Sequence, residues 1–415
     1  MELMEQICSP ENLTKALKRV ERNKGAAGPD GMGTEQLGEY LKTNWNRHRE
    51  ELKEGKYKPG PVKRTRIPKP DGGERELGIP NVLDRFIQQA ILQILQPIYE
   101  EKFSEYSYGF RPGRSAHDAI NKAHEYIKSG RNVVVDIDLE RFFDRVNHDK
   151  LMSEIAKTVE DKSVLKVLRA CLNAGVMDGG IWRATEEGTP QGGNLSPLLS
   201  NIVLDKLDKE LERRGHAFAR YADDCNIYVR SERAGQRVME SIKKYIAKEL
   251  KLKVNEKKSA VDKPSKRKFL GFTFTDEDEP RKKISDKSIK RFKDKIRETT
   301  DRTKRVSETN LIKDLNVYIR GWIGYYGKSE AKSILEKLDA WIRRRVRSWT
   351  WRGWKTFRYK AKNLVELGVN REMAFATAAN KGCWGISKTK AVHAALSKKY
   401  FTEIGLKPLI SYVTG

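Results

Sequence analysis

The chain has 415 residues, a third of them charged, and a formal net charge of +26. That length allows two or three domains with real cores, and the absence of any stretch near the roughly 18 apolar residues of a membrane span argues against a helical membrane protein. Four widely spaced cysteines (Cys8, Cys171, Cys225, Cys383) form no CxxC pair, so neither a disulfide framework nor a zinc site is expected; "MELMEQICSP" has no basic segment followed by an apolar one, and a cytoplasmic location with reduced thiols is the expectation.

In chain order, Asn12 to Arg22 predicts a helix, which glycine and proline break in "NKGAAGPDGM", Asn23 to Met32. "RIPKPDGGERELGIP" sets apolar and basic residues on both sides of Asp71-Gly72-Gly73, the pattern of a hairpin of two short strands. A helix from about Val82 to Tyr99 carries Ile87, Ile91, Ile94, Leu95 and Ile98 on one stripe. "NVVVDIDLERFFDRVNH" predicts a buried strand, Val133 to Leu139, running into a turn and a helix. Ser196-Pro197, suited to N-cap and N1, opens a long helix with Leu199, Val203, Leu207 and Leu211 at i, i+4 spacing and Gly215 as its stop. "FARYADDCNIYV", Phe218 to Val229, reads as a β-hairpin with two aspartates at its tip. A helix around Arg233 to Leu250 and a β segment "KFLGFTF" complete an α+β unit, and beyond Asp286 the pattern is mostly helical.

Charge is unevenly spread. From Arg281 to Gly415 there are 33 Lys+Arg against 12 Asp+Glu, so a net +21 of the total +26 lies in the last third, together with six of the eight tryptophans (Trp322, Trp341, Trp349, Trp351, Trp354, Trp384). Taken singly, each Trp is better read as core; as a segment, basic residues interleaved with aromatics suit a polyanion with stackable bases.

The carboxylates point to chemistry. Two adjacent aspartates on a hairpin tip repel each other, and a divalent metal is the simplest counter-charge. Mg²⁺ prefers hard oxygen ligands and takes some of them from substrate phosphates. A DD pair alone is ordinarily a solvated turn. Here, however, Asp136 and Asp138 stand two apart on an otherwise apolar strand, where acidic residues do not serve packing. Two metals held by such a cluster would stabilise the attacking and leaving oxygens of an in-line phosphoryl transfer.

These residues resemble, over essentially the whole chain and in order, the reverse transcriptases encoded by bacterial group II introns. "NKGAAGPDG" resembles the N-terminal extension loop, "IPKPDGGERELGIP" and "SYGFRPGRSAHDAI" the two fingers motifs, "DIDLERFFDRVNHD" polymerase motif A, "GTPQGGNLSPLLSN" motif B, "YADD" motif C, "LKLKVNEKKS" motif D and "FLGFTF" the primer grip. "IRGWIGYYG", Ile319 to Gly327, resembles the signature of the maturase X domain, and "NKGCWGISKTKAVHAAL" the small DNA-binding domain of the group IIC class. The resemblance implies an α+β right-hand polymerase with an antiparallel palm sheet: an N-terminal extension over 1–65, fingers over 66–132, palm with part of the fingers over 133–285, a helical thumb over 286–360, and a helical DNA-binding domain over 361–415. The chain stops short of the endonuclease domain that some members carry, so second-strand cutting is not expected of it.

By the same resemblance, Asp138, Asp223 and Asp224 are catalytic and, with Leu139, hold two Mg²⁺ ions; Asp138 is preferred to Asp136 because it stands five residues before Phe143, the gate against a ribose 2′-hydroxyl. A ring stacked under the sugar leaves no room for that oxygen. Lys69, Arg75, Gln191 and Gly192 join Phe143 at the deoxynucleoside triphosphate; two glycines, Gly192 and Gly193, let the backbone come close. Lys257 of "NEKKS" is the candidate general acid, with Lys258 not separable from it by spacing. Phe269, Leu270 and Gly271 form the primer grip. Arg111 and Arg114 either bind template phosphates or brace the fingers, and Arg344 and Arg345, on a helix with one apolar stripe and a basic face, would meet RNA. His117 and His148, with no second His or Cys at metal spacing, read as structural. The partners implied are intron RNA as template, a DNA or RNA primer, target DNA and dNTPs, with retrohoming and splicing as the cellular roles. Alternatives are a splicing maturase without polymerase activity and a domesticated enzyme of defence or repair.

Overall fold

In the computed structural model, residues 2–68, 72–185, 187–189, 192–301, 303, 306–330 and 332–413 are described. They divide into two units, Met1–Leu270 and Gly271–Gly415. The first begins with helices Leu3–Ile7, Pro10–Asn23 and Leu37–Lys53, which gather around the long helix Val82–Glu100. Pro10–Asn23 starts where Ser9 accepts a hydrogen bond from the Asn12 amide and stops at Lys24, whose φ of 45° is left-handed. Leu37–Lys53 lies outside the predicted elements. Its apolar residues are few among charges, and what holds it is packing, such as Trp45 edge-on to Phe86 at 5.7 Å.

The hairpin expected around Asp71 is present as β1 (Val62–Pro68) and β2 (Glu74–Ile79), with Ile67 opposite Arg75. After β3 (Val133–Ile137), a second, unpredicted hairpin of β4 (Val176–Asp178) and β5 (Ile181–Arg183) adds to it through a parallel β1–β4 pairing, giving the order β2-β1-β4-β5. The other four-stranded sheet joins β3 to β6 (Ala217–Tyr221), β7 (Asp224–Val229) and β8 (Ala260–Asp262) in the order β6-β7-β3-β8, antiparallel throughout. Alternation gives this sheet two unlike faces. Val135, Ile137, Phe218, Cys225 and Ile227 point into the core, and helices Ser196–Arg213 and Glu232–Tyr245 pack against the strands. Asp136, Asp138 and Asp224 belong to the opposite face.

The second unit starts with a hairpin, β9 (Phe272–Phe274) and β10 (Lys282–Ile284), followed by helices Asp286–Thr299, Glu308–Tyr326 and Lys332–Gly353 and several shorter ones. The expected strand over "KFLGFTF" is shorter than predicted because Leu270 and Gly271 both take left-handed φ (51° and 86°), which no strand accommodates. Trp351 is fully buried, with its indole N–H on the Gly382 carbonyl, and Trp322 lies 4.3 Å from Phe292, ring to ring. Most of the tryptophans are thus core; Trp384, 37% exposed, is the most accessible of the six. Among the described residues no helix is long and apolar enough to cross a membrane. All four cysteines are free, and three of them are buried.

Candidate active site

The site begins with strand register. Ile137 pairs with Cys225, so one further step places Asp138, just past the end of β3, beside Asp224 at the start of β7. Tyr221 pairs with Asp224, leaving Ala222 and Asp223 as a two-residue loop. Ala222 takes φ 57°, a conformation that costs an alanine about 1 kcal/mol. Asp138 is pinned through its backbone: its amide donates to Ser259 Oγ at 2.9 Å and its carbonyl accepts from the Asn255 amide at 2.8 Å. Asp138 and Asp223 then line one cleft of about 630 Å³ with Arg75, Phe143, Asn255 and Lys258.

Phe143 sits half-buried in a tight turn, edge-on to Phe142 at 5.2 Å, and its carbonyl accepts from the Thr189 amide. Its ring lies on the cleft wall near Asp138 and Asp223. Gly192 has φ 121°, and a Cβ there would meet the Gly78 carbonyl at 2.4 Å. Close backbone approach is therefore the reason for this glycine, but its neighbour is strand β2. Lys69 and Gln191 lie outside the described residues. Leu139 is buried, so any part in holding a metal falls to its backbone.

A profile of the reverse transcriptase (RNA-dependent DNA polymerase) family matches residues 67–274, which spans these strands and loops, and a profile of the group II intron maturase-specific domain matches 289–367. The chain belongs to the group II intron reverse transcriptases. It is 39% identical over 218 residues to Protein YkfC of Escherichia coli, covering 51% of this chain and 57% of that one. To the group II intron-encoded protein LtrA of Lactococcus lactis it is 34% identical over 215 residues, covering 50% and 34%. It therefore spans about half of the first of these relatives and a third of the second. Among solved structures, a telomerase from Candida albicans aligns over 88% of this chain and 65% of its own, at 16% identity and a TM-score of 0.47.

In this member of the family the electrostatics beside β3 and β7 are those of an under-compensated acidic cluster. Burial raises the Asp223 carboxyl, Asp138 adds to the rise, and Arg75 and Arg220 oppose it. Asp224 is pushed up to about 8, first by burial and then by Asp136 and Asp223, with Lys268 opposing. Asp136 is raised by burial against the pull of Arg267, whose guanidinium binds it at 2.5 and 2.9 Å. Among the described residues no three acidic, His or Cys side chains form a ready-made metal cage. A hard cation that fills its shell with waters and substrate phosphates asks for less than a cage, and the excess negative charge fits one.

The geometry bears on two alternatives that the sequence leaves open. Lys257 and Lys258 are both solvent-exposed, but of the two it is Lys258 that lines the cleft, with Nζ 3.6 Å from Asp138. Ser259 and Asn255 anchor the Asp138 backbone, and Arg267 donates to the Lys258 carbonyl. Arg111 is buried, with Nε on Glu100 and Nη1 on the Ser104 and Ser107 carbonyls, so it braces the loop that follows helix Val82–Glu100. Arg114 stacks over Tyr108 and donates to the Glu105 carbonyl. Arg344 lies 3.7 Å over the Trp384 ring, and Arg345 donates to Thr300. Phe269 is buried, and the Gly271 carbonyl accepts from the Ser285 amide. His148 is tied to Asn173 and the Gly188 carbonyl, a structural pairing. Sequence reasoning passed over Arg220, Arg267 and Lys268. For Arg220 there was a signal: it shares strand parity with Phe218 on the buried face, where a cation requires a carboxylate partner.

Proposed function

We propose that this chain is an RNA-directed DNA polymerase that adds deoxynucleotides to a primer 3′-hydroxyl on an RNA template, and that it also serves as the maturase of its intron RNA. The observation that carries the reading is the register that sets Asp138 beside Asp224 while the hairpin loop holds Asp223 on the same cleft as Phe143. Asp138, Asp223 and Asp224 would hold two Mg²⁺ ions, which when bound neutralise charge on the attacking and leaving oxygens. Arg75, on the fingers hairpin, offers a planar fork to phosphate oxygens from across the cleft. Phe143 walls the sugar position and excludes a 2′-hydroxyl. Lys258 can deliver a proton to the departing pyrophosphate. Residues 66–132, 133–285, 286–360 and 361–415 are read as fingers, palm, thumb and DNA-binding domain behind an N-terminal extension, with the basic final third meeting intron RNA and target DNA.

The competing reading is a splicing maturase with a relic polymerase site. Retention of four buried or half-buried aspartates in mutual repulsion favours the enzyme, since a relic has no use for that cost. Primer extension on an RNA template with Mg²⁺ and dNTPs decides it. The parent protein should extend, and Asp223→Ala and Asp224→Ala should each slow extension at least ~100-fold, about 2.7 kcal/mol of barrier. A parent that promotes splicing but extends nothing would remove the polymerase reading.

A further inference from the structure

Behind the two aspartates, on the covered face of the palm sheet, lies a fully buried arginine. Arg220 stands opposite Cys225, so its side chain points away from the carboxylates and toward helix Ser196–Arg213. All five guanidinium N–H groups have acceptors. Nε and Nη2 donate to the two carboxylate oxygens of buried Asp208 at 2.7 and 2.5 Å, Nη2 also to Ser107 Oγ at 2.7 Å, and Nη1 to Asn201 Oδ1 at 3.0 Å and to the Ala222 carbonyl at 2.8 Å. The last of these bonds matters most, because Ala222 is the left-handed residue of the loop that carries Asp223. The same loop is pressed from another side by Gly109, where a Cβ would come within 2.1 Å of the Ala222 amide nitrogen, and Asn201 holds the Gly109 carbonyl at 2.9 Å. Loop, helix and the Ser107 to Gly109 segment thus meet at one guanidinium.

We infer that Arg220, oriented by Asp208, is a positioning residue for nucleotide transfer: its bond to the Ala222 carbonyl holds the two-residue loop in the one conformation that aims Asp223 into the cleft. The inference rests on the polymerase reading above. A buried ion pair is weak support for stability, since replacing both partners by apolar residues of similar volume is often neutral or better, whereas no apolar side chain can donate to Ala222. That separates fold from function. The double variant Arg220→Met/Asp208→Leu should melt near the parent and bind template–primer RNA within about twofold. Its kcat for single-nucleotide addition should fall at least tenfold with KM for dNTP little changed, and the Mg²⁺ concentration for half-maximal rate should rise several-fold. A well-folded double variant with kcat within twofold of the parent overturns the inference.

If the double variant does not fold, Arg220→Lys gives the decision, because lysine keeps a cation for Asp208 but lacks the planar fork that donates to Asp208 and to the Ala222 carbonyl at once. Lower kcat without a lower melting temperature supports positioning, and unchanged kcat refutes it. An inactive parent in the same assay would count against the polymerase reading itself, which keeps the two failures apart.

Discussion

At the scale of single residues, the carboxylates were legible because an acidic side chain inside an apolar strand stands out, whereas the cations that manage them were not. Arg267 lies about 130 positions from Asp136 in sequence, and only the fold brings it to 2.5 Å. Lys257 and Lys258 differ by one step along a turn, which spacing does not resolve; in the structure it is Lys258 that lines the cleft. If Lys258 supplies the proton to pyrophosphate, Lys258→Ala should lower kcat by ~10²-fold, with Lys257→Ala within twofold of the parent. Equal effects of the two would leave Lys258 without that role. Phe143→Ala should raise the kcat/KM of ribonucleotides relative to deoxynucleotides by roughly tenfold or more, the worth of a steric contact with one extra group. Single-nucleotide kinetics with the two sugar types checks it, and an unchanged ratio would take the gate elsewhere.

Among the elements, the hairpin β6–β7 was predicted from its pattern, and its tip holds a consequence for stability. The Asp224 carboxyl, about 3.9 in an unfolded chain, is raised to about 8 in the fold, so the folded state binds the extra proton between those values. Stability from that proton is complete below pH 4 and is lost as pH rises toward 8. In EDTA the melting temperature should therefore decline from pH 6 to pH 8, and Asp224→Asn, which cannot ionise, should flatten the decline. Added Mg²⁺ should restore stability to the parent at pH 8 more than to the variant. Thermal melts over that range test this, and parallel curves would mean that the carboxyl stays ionised. The hairpin β4–β5 escaped prediction because its strands are three residues each and its partner β1 lies more than 110 positions away. Leu37–Lys53 escaped because its apolar stripe is sparse and is completed by its neighbours.

For the whole molecule, charge bears on the proposed RNA partner. With a net charge of +26, most of it beyond residue 280, the proposed association with RNA would be driven by release of counterions. Affinity for a template–primer should drop roughly a hundredfold or more between 50 and 200 mM salt, measured by equilibrium binding, and a flat response would mean that the basic final third is not the docking surface. The structure tempers the role of the aromatics there. Trp351 is buried and Trp322 packs on Phe292, which leaves Trp384, under Arg344, as the ring best placed to meet a base.

The order of the motifs, the α+β class, the basic tail and the candidate carboxylates were all set by local pattern: periodicity, turn chemistry and charge placed where packing alone would not put it. Which lysine faces Asp138, what Gly192 leaves room for, and how a left-handed alanine is held under two aspartates were decided only by tertiary structure. The reason is that these depend on groups distant in sequence, such as Ser107, Asn201 and Asp208 around Arg220, whose partnership exists only once the sheet and its covering helix have come together.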